Sequence, residues 1–121
     1  MKCPCNPSKL YNDCCKTAHQ NIHFVATAEI LMRSRYSAFV MANIEYLQKS
    51  HHSSTRPSKV EKKEILAWTK SIEWVKLDIL QSTENTVKFK AYFYENGSLN
   101  VIHENSFFVK ENNYWVYKNA L

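Results

Sequence analysis

Apolar residues recur at helical spacing from Ala28 to Ala42, in the run A-E-I-L-M-R-S-R-Y-S-A-F-V-M-A. Thr27 stands where an N-cap is needed. At about 100° per residue, Ala28, Leu31, Met32, Phe39 and Ala42 share one face. Arg35 falls in the middle of that face, and Arg33 points to the polar side. Asn43 suits the cap of a short second helix carrying Ile44, Tyr46 and Leu47. Ser50 to Pro57 is a polar loop that cannot continue a helix through Arg56-Pro57. Ser58 with Glu61 makes a capping box for a third helix reaching about Ile72, with Ile65, Leu66 and Trp68 on its buried side.

From Glu73 the pattern changes to alternation. Val75, Leu77 and Ile79 face one way in a first strand, and Glu84-Asn85 turns the chain. Val87, Phe89, Ala91 and Phe93 alternate with Lys88, Lys90, Tyr92 and Tyr94 in a second. Asn96-Gly97 is the strongest hairpin signal present. A third strand runs from about Leu99 to Lys110, and Asn112-Asn113 leads into a fourth, Tyr114 to Lys118. Three helices followed by four strands on short turns predict an α+β fold: N-terminal helices against a four-stranded antiparallel meander.

Arg35 raises a physical problem. A guanidinium inside an apolar stripe keeps its charge and is costly to bury unpaired. In the third strand, Ile102, Glu104, Ser106 and Phe108 share a face opposite to Val101, His103, Asn105, Phe107 and Val109. If the first set faces inward, Glu104 enters the core side from the sheet while Arg35 enters from the helix. An Arg35–Glu104 ion pair is therefore expected.

All four cysteines, Cys3, Cys5, Cys14 and Cys15, lie in the first fifteen residues. Both adjacent pairs are too close in sequence for easy disulfide bridging within a pair. A tetrahedral Zn²⁺ site suits them better. Cys-x-Cys supplies one ligand pair, an eight-residue loop reverses the chain, and Cys-Cys closes the shell. Four sulfurs leave no open position, so one structural zinc is expected. The competing reading is a redox thiol cluster, with His19 a lesser candidate ligand. The chain has 121 residues and a formal charge of +5, which four thiolates on one Zn²⁺ would lower to +3. No apolar run reaches the length of a membrane span, and M-K-C-P-C lacks the apolar segment of a secretory signal, so a cytoplasmic location is expected. The single glycine and three prolines disfavour a loop-rich chain.

The cysteine block resembles the SEC-C zinc knuckle, best known from the tail of the preprotein translocase ATPase. Its usual Gly-Ser-Gly-Lys loop is replaced by Asn6-Pro7-Ser8-Lys9. The stretch L-M-R-S-R-Y-S-A, Leu31 to Ala38, with H-H-S-S-T-R, I-H-E-N-S-F-F-V and N-Y-W-V-Y further on, resembles the YchJ family. Phe107 stands where that family usually has arginine, and the second knuckle of some members is missing from these 121 residues. The resemblance implies two units: residues 1–20 as the knuckle and 21–121 as a nuclear-transport-factor-2-like domain, a curved sheet wrapped around helices with a cavity at the open end. It implies no reaction, since this scaffold hosts enzymes and binding modules alike.

Pocket candidates are Arg35, Tyr36, His52, Thr55, Arg56, Trp68, Glu104 and Ser106. Arg35 or Arg56 could clamp an anion, and Glu104 or His52 could exchange a proton. The plainer reading is that Arg35 and Glu104 satisfy each other and that Thr55-Arg56 braces a loop. The favoured function is a zinc-binding adaptor or ligand-binding module, its knuckle docking on a protein or ribonucleoprotein partner and its cone holding a small molecule. The alternative is an enzyme using Arg35, Glu104 and His52 on a small anionic substrate. Lys59, Lys62, Lys63 and Lys70 alternate with Glu61 and Glu64, more a solvated face than a nucleic-acid surface. A homodimer through the outer sheet face is a further expectation.

Overall fold

The computed structural model describes residues 1–121. A two-stranded hairpin, β1 (Lys2–Cys3) and β2 (Asn6–Leu10), precedes a short helix, α1 (Cys15–Gln20). The long helix is α2 (Ala28–Val40), followed by α3 (Ile44–Lys49) and α4 (Lys59–Ser71). One antiparallel sheet completes the chain in the order β3 (Glu73–Ser82), β4 (Thr86–Glu95), β5 (Ser98–Glu111), β6 (Tyr114–Ala120). The predicted α+β architecture is present, with α1 an added element inside the cysteine block.

The caps act as the sequence predicts. Thr27 Oγ1 accepts from the Ile30 N–H at 3.1 Å, and Asn43 Oδ1 from the Tyr46 N–H at 3.1 Å. Ser58 and Glu61 complete both halves of a capping box at 3.2 and 2.9 Å. Because the box satisfies two donors of α4 at an exposed site, Ser58→Ala is expected to lower stability by about 1 kcal/mol, measured as the urea midpoint. Asn96 and Gly97 both have positive φ, 52° and 79°, as a two-residue hairpin turn of the twisted sheet requires. Asn112 and Asn113 do the same at 54° and 65°.

Helix α2 is buried on more than the predicted stripe. Leu31, Met32, Ser34, Arg35, Tyr36, Ser37 and Ala38 are all buried. One side packs on the sheet and the other on the cysteine block, so the helix lies between two bodies. Ala42 is not on the helix; at φ 54° it turns the chain into α3. In the connection ahead of α2, Ile22 and Val25 are buried and Phe24 is exposed.

In the sheet, Val87, Phe89, Ala91 and Phe93 of β4 point inward as predicted. Strand β3 corrects the expectation. Glu73 and Trp74 pair with Tyr94 and Phe93, but Lys76 pairs with Tyr92, so Val75 is bulged out and 48% exposed. The extra residue reverses the alternation and turns Trp74 toward the core. Strand β5 takes the inward set proposed from its sequence, with Ser106 and Phe108 buried.

Candidate functional site

The four cysteine sulfurs all lie within 4.8 Å of one another. Cys5 Sγ is 3.6 Å from each of Cys3, Cys14 and Cys15. A tetrahedron with arms of about 2.3 Å has edges of ~3.8 Å, so the cluster fits one metal ion of zinc's size. Cys3, Cys5 and Cys15 are buried and Cys14 is half-buried. Hydrogen bonds from Cys15, Cys14 and Cys3 hold the Cys5 thiol down at about 5 despite its burial. Burial and the hydrogen bond to Cys5, with the Cys5 charge behind them, push Cys14 up to about 11. Four sulfurs this close do not all ionise without a cation, and a bound metal would displace their protons.

The cluster is fastened to α2. Ser37, fully buried, places its Oγ 3.2 Å from Cys15 Sγ and 3.6 Å from Cys3 Sγ. Arg33 Nη1 donates to the Cys5 carbonyl at 3.2 Å, and its Nε donates to Glu29 at 3.1 Å. The sequence placed Arg33 on the polar side; that side faces the knuckle. His19 is not in the sulfur cluster. Its Nε2 donates to the Ser34 carbonyl at 2.7 Å and its Nδ1 accepts from the Tyr11 hydroxyl at 2.8 Å, which occupies both nitrogens.

On the other side of α2 lies a cavity of about 240 Å³. Met32, Arg35, Tyr36 and Phe39 of α2 form one wall. Trp68 of α4 and Trp74 of β3 stand edge to face at 5.6 Å and form another. Trp74 Nε1 donates to Thr69 Oγ1 at 3.0 Å, so its polar atom is spent. Phe89, Ile102, Glu104, Ser106 and Tyr117 form the sheet floor.

Arg35 and Glu104 both line this cavity, but the expected ion pair does not form. Arg35 Nη1 instead donates to the Leu47 carbonyl at 2.9 Å and Ser50 Oγ at 2.7 Å. Its guanidinium carbon sits 5.1 Å from the centroid of the Tyr117 ring. Glu104 Oε2 accepts from Ser106 Oγ and, at 3.3 Å, from the Tyr117 hydroxyl. Tyr117 thus stands against both groups. Burial lowers Arg35 to about 10, so it stays cationic at neutral pH, and burial pushes the Tyr117 phenol up to about 12.

Of the eight predicted pocket residues, Arg35, Tyr36, Trp68, Glu104 and Ser106 line the cavity. His52, Thr55 and Arg56 do not. They fasten the loop after α3 to β6 and its turn. Ser53 donates to Glu111 through its N–H at 3.1 Å and Oγ at 2.5 Å, with His52 Nε2 at 3.4 Å from the same carboxylate. Thr55 Oγ1 donates to the Lys118 carbonyl at 2.6 Å, and Arg56 Nη2 to the His51 carbonyl at 2.9 Å. The loop bonds to β6 on both sides of Tyr117: its N–H donates to Ser50 O and its carbonyl accepts from the His52 N–H. Adjacent residues in an extended bridge point opposite ways, so His51 rather than His52 faces the cavity.

Burial, reinforced by the charges of Arg35 and Arg56, holds His51 down at about 4. The unfolded chain, with an ordinary histidine near 6.5, then binds more protons between pH 6.5 and 4. His51 therefore costs stability as the pH falls through that window and nothing above it. Urea midpoints at pH 7 and pH 5 are expected to fall further in the wild type than in His51→Gln.

The model of the YchJ middle NTF2-like domain matches residues 27–120. A UPF0225 protein of Vibrio parahaemolyticus is 40% identical over 95% of this chain and 71% of its own length. One from Bordetella pertussis is 39% identical over 95% of this chain and 88% of its own. The crystal structure of a SEC-C motif containing protein from Psychrobacter arcticus superposes with a TM-score of 0.79 at 31% identity, covering 98% of this chain and 81% of that one. The solution structure of RPA3114, a SEC-C motif containing protein from Rhodopseudomonas palustris, gives 0.82 at 28% identity, covering 100% and 98%. With a four-cysteine cluster that can hold a metal ion ahead of an NTF2-like domain, the chain belongs to the YchJ (UPF0225) family.

Proposed function

We propose that the protein is a zinc-stabilised binding module whose cavity holds a small organic ligand. The observation that carries this reading is the position of α2. One side of the helix is fastened to the sulfur cluster through Ser37 and Arg33, and the other carries Arg35 into the cavity. A metal with four thiolates has no open coordination position, so zinc here holds the helix and does no chemistry. The exposed part of β2, residues 7–10, on the outside of the knuckle, is the face offered to a protein or ribonucleoprotein partner. The enzyme alternative loses one of its two proposed proton carriers: His52 has its ring nitrogens beside Ser54 and Glu111 and lies outside the cavity, while Glu104 lines it. No helix is long and apolar enough to cross a membrane.

The test is an NMR screen of the zinc-loaded chain against small neutral, cationic and anionic organic molecules. Binding that shifts the amides of Arg35, Trp74 and Tyr117 together is the expected result. A panel that leaves those amides unmoved, or moves only the knuckle, contradicts the reading.

A further inference from the structure

The geometry points to an aromatic monocarboxylate as the ligand of the cavity, its carboxylate received by Arg35 and its ring by Trp68 and Trp74. This rests on the reading that the cavity binds a small molecule, and it names the class.

Arg35 is 6% exposed, yet no carboxylate lies within 4 Å of it. Its protein acceptors, Leu47 O and Ser50 Oγ, are both neutral and both take Nη1. Nε and Nη2 have no acceptor in the protein. No enclosed side-chain nitrogen or oxygen in the chain lacks a partner, so these two donors keep accessible surface, and Arg35 lines the cavity. Adjacent Nε–H and Nη2–H form the fork that matches the two oxygens of one carboxylate. The hydrogen-bond partners of Arg35 are neutral, and its charge is met only by the Tyr117 ring face and, without contact, by Glu104; an anion seated on the Nε–Nη2 edge would complete it.

The rest of the wall sets the body of the ligand. Twelve of the eighteen lining residues are hydrophobic. Trp68 and Trp74 meet edge to face, and the Trp74 N–H is taken by Thr69, which leaves ring surface toward the cavity. An aromatic ring packs on such surfaces in edge-to-face or offset contact. At about 240 Å³ the cavity falls below the roughly 300–1,000 Å³ of drug-sized sites, so it suits one ring and a headgroup. Arg35 is the one arginine or lysine lining the cavity and Glu104 opposes further negative charge, so a single carboxylate is matched and a second is not.

Titration of the zinc-loaded full chain with benzoate and benzamide, followed by tryptophan fluorescence, separates these claims. The amide keeps the ring and shape and removes the charge. Benzoate is expected to bind at least tenfold more tightly, and Arg35→Met to abolish the difference. The benzoate–benzamide comparison needs no variant, so it stands even if Arg35→Met fails to fold. Equal binding of the two overturns the carboxylate assignment while leaving a ligand cavity in place. So does benzoate binding that survives Arg35→Met unchanged. If neither probe binds and the wider NMR panel also fails, the cavity reading falls with it.

Discussion

Cys5→Ser is expected to abolish metal binding and to lower the melting temperature of the whole chain by more than about 10 °C. Cys5 is the sulfur closest to all the others, 3.6 Å from each of the three. Serine cannot supply the thiolate there, and a three-sulfur remainder would open the shell to water. Binding free energy at a structural zinc site is folding free energy, about 10–16 kcal/mol in small zinc peptides. Only part of that scale applies to a chain with its own hydrophobic core, but several kcal/mol is a large share of a domain's stability. The loss should spread beyond the knuckle. Ser37 and Arg33 tie α2 to the cysteine block, so loosening the block also frees one side of the helix. Metal content per chain and a thermal melt check this together. A variant that keeps one metal per chain, or loses it without a shift in melting, would contradict the fastening of α2.

Phe108→Ala is expected to cost about 3–5 kcal/mol. Phe108 is the largest fully enclosed side chain, with 0% exposure, on the inner face of β5. Its ring meets Tyr117 edge to face with centroids 5.9 Å apart. Removing it loses the burial and leaves a void behind Tyr117, which is held by strand hydrogen bonds and can collapse only in part. Because Tyr117 stands against both Arg35 and Glu104, the cavity should loosen as well. Urea unfolding reads the effect as a lower midpoint with an unchanged slope. A loss under about 1 kcal/mol would mean that the β5–β6 core is softer than its packing implies.

Much of the fold was legible because it rests on local chemistry. Thr27, Asn43 and Ser58 act on donors three residues away, and Asn96-Gly97 needs only its own backbone. Alternation in β4 was plain because one face meets the core and the other carries two lysines followed by two tyrosines. Long-range choices were hidden. The bulge at Val75 depends on pairing with β4, and nothing in E-W-V-K-L marks the extra residue. Which of His51 and His52 faces inward depends on a bridge to Tyr117, about 65 residues away in sequence. Arg35 was correctly placed as a buried cation, but its partner was misassigned. Charge alone matches a guanidinium to a carboxylate, whereas the end of α3 offers a nearer shelf in Leu47 O and Ser50. Ser37 and Arg33 were missed because α2 buries two sides, and a single-stripe pattern describes only one. The clustering of the cysteines was legible, since all four sit within fifteen residues and their spacing alone brings them together.

X-ray absorption at the zinc edge, on protein purified without chelator or added metal, tests the central claim most directly. The account predicts one zinc per chain with four sulfur neighbours at about 2.3 Å and no nitrogen or oxygen in the shell. A shell containing nitrogen or oxygen would mean an open site and return chemistry to the metal. Absence of zinc, with four free thiols, would contradict the zinc-stabilised module itself.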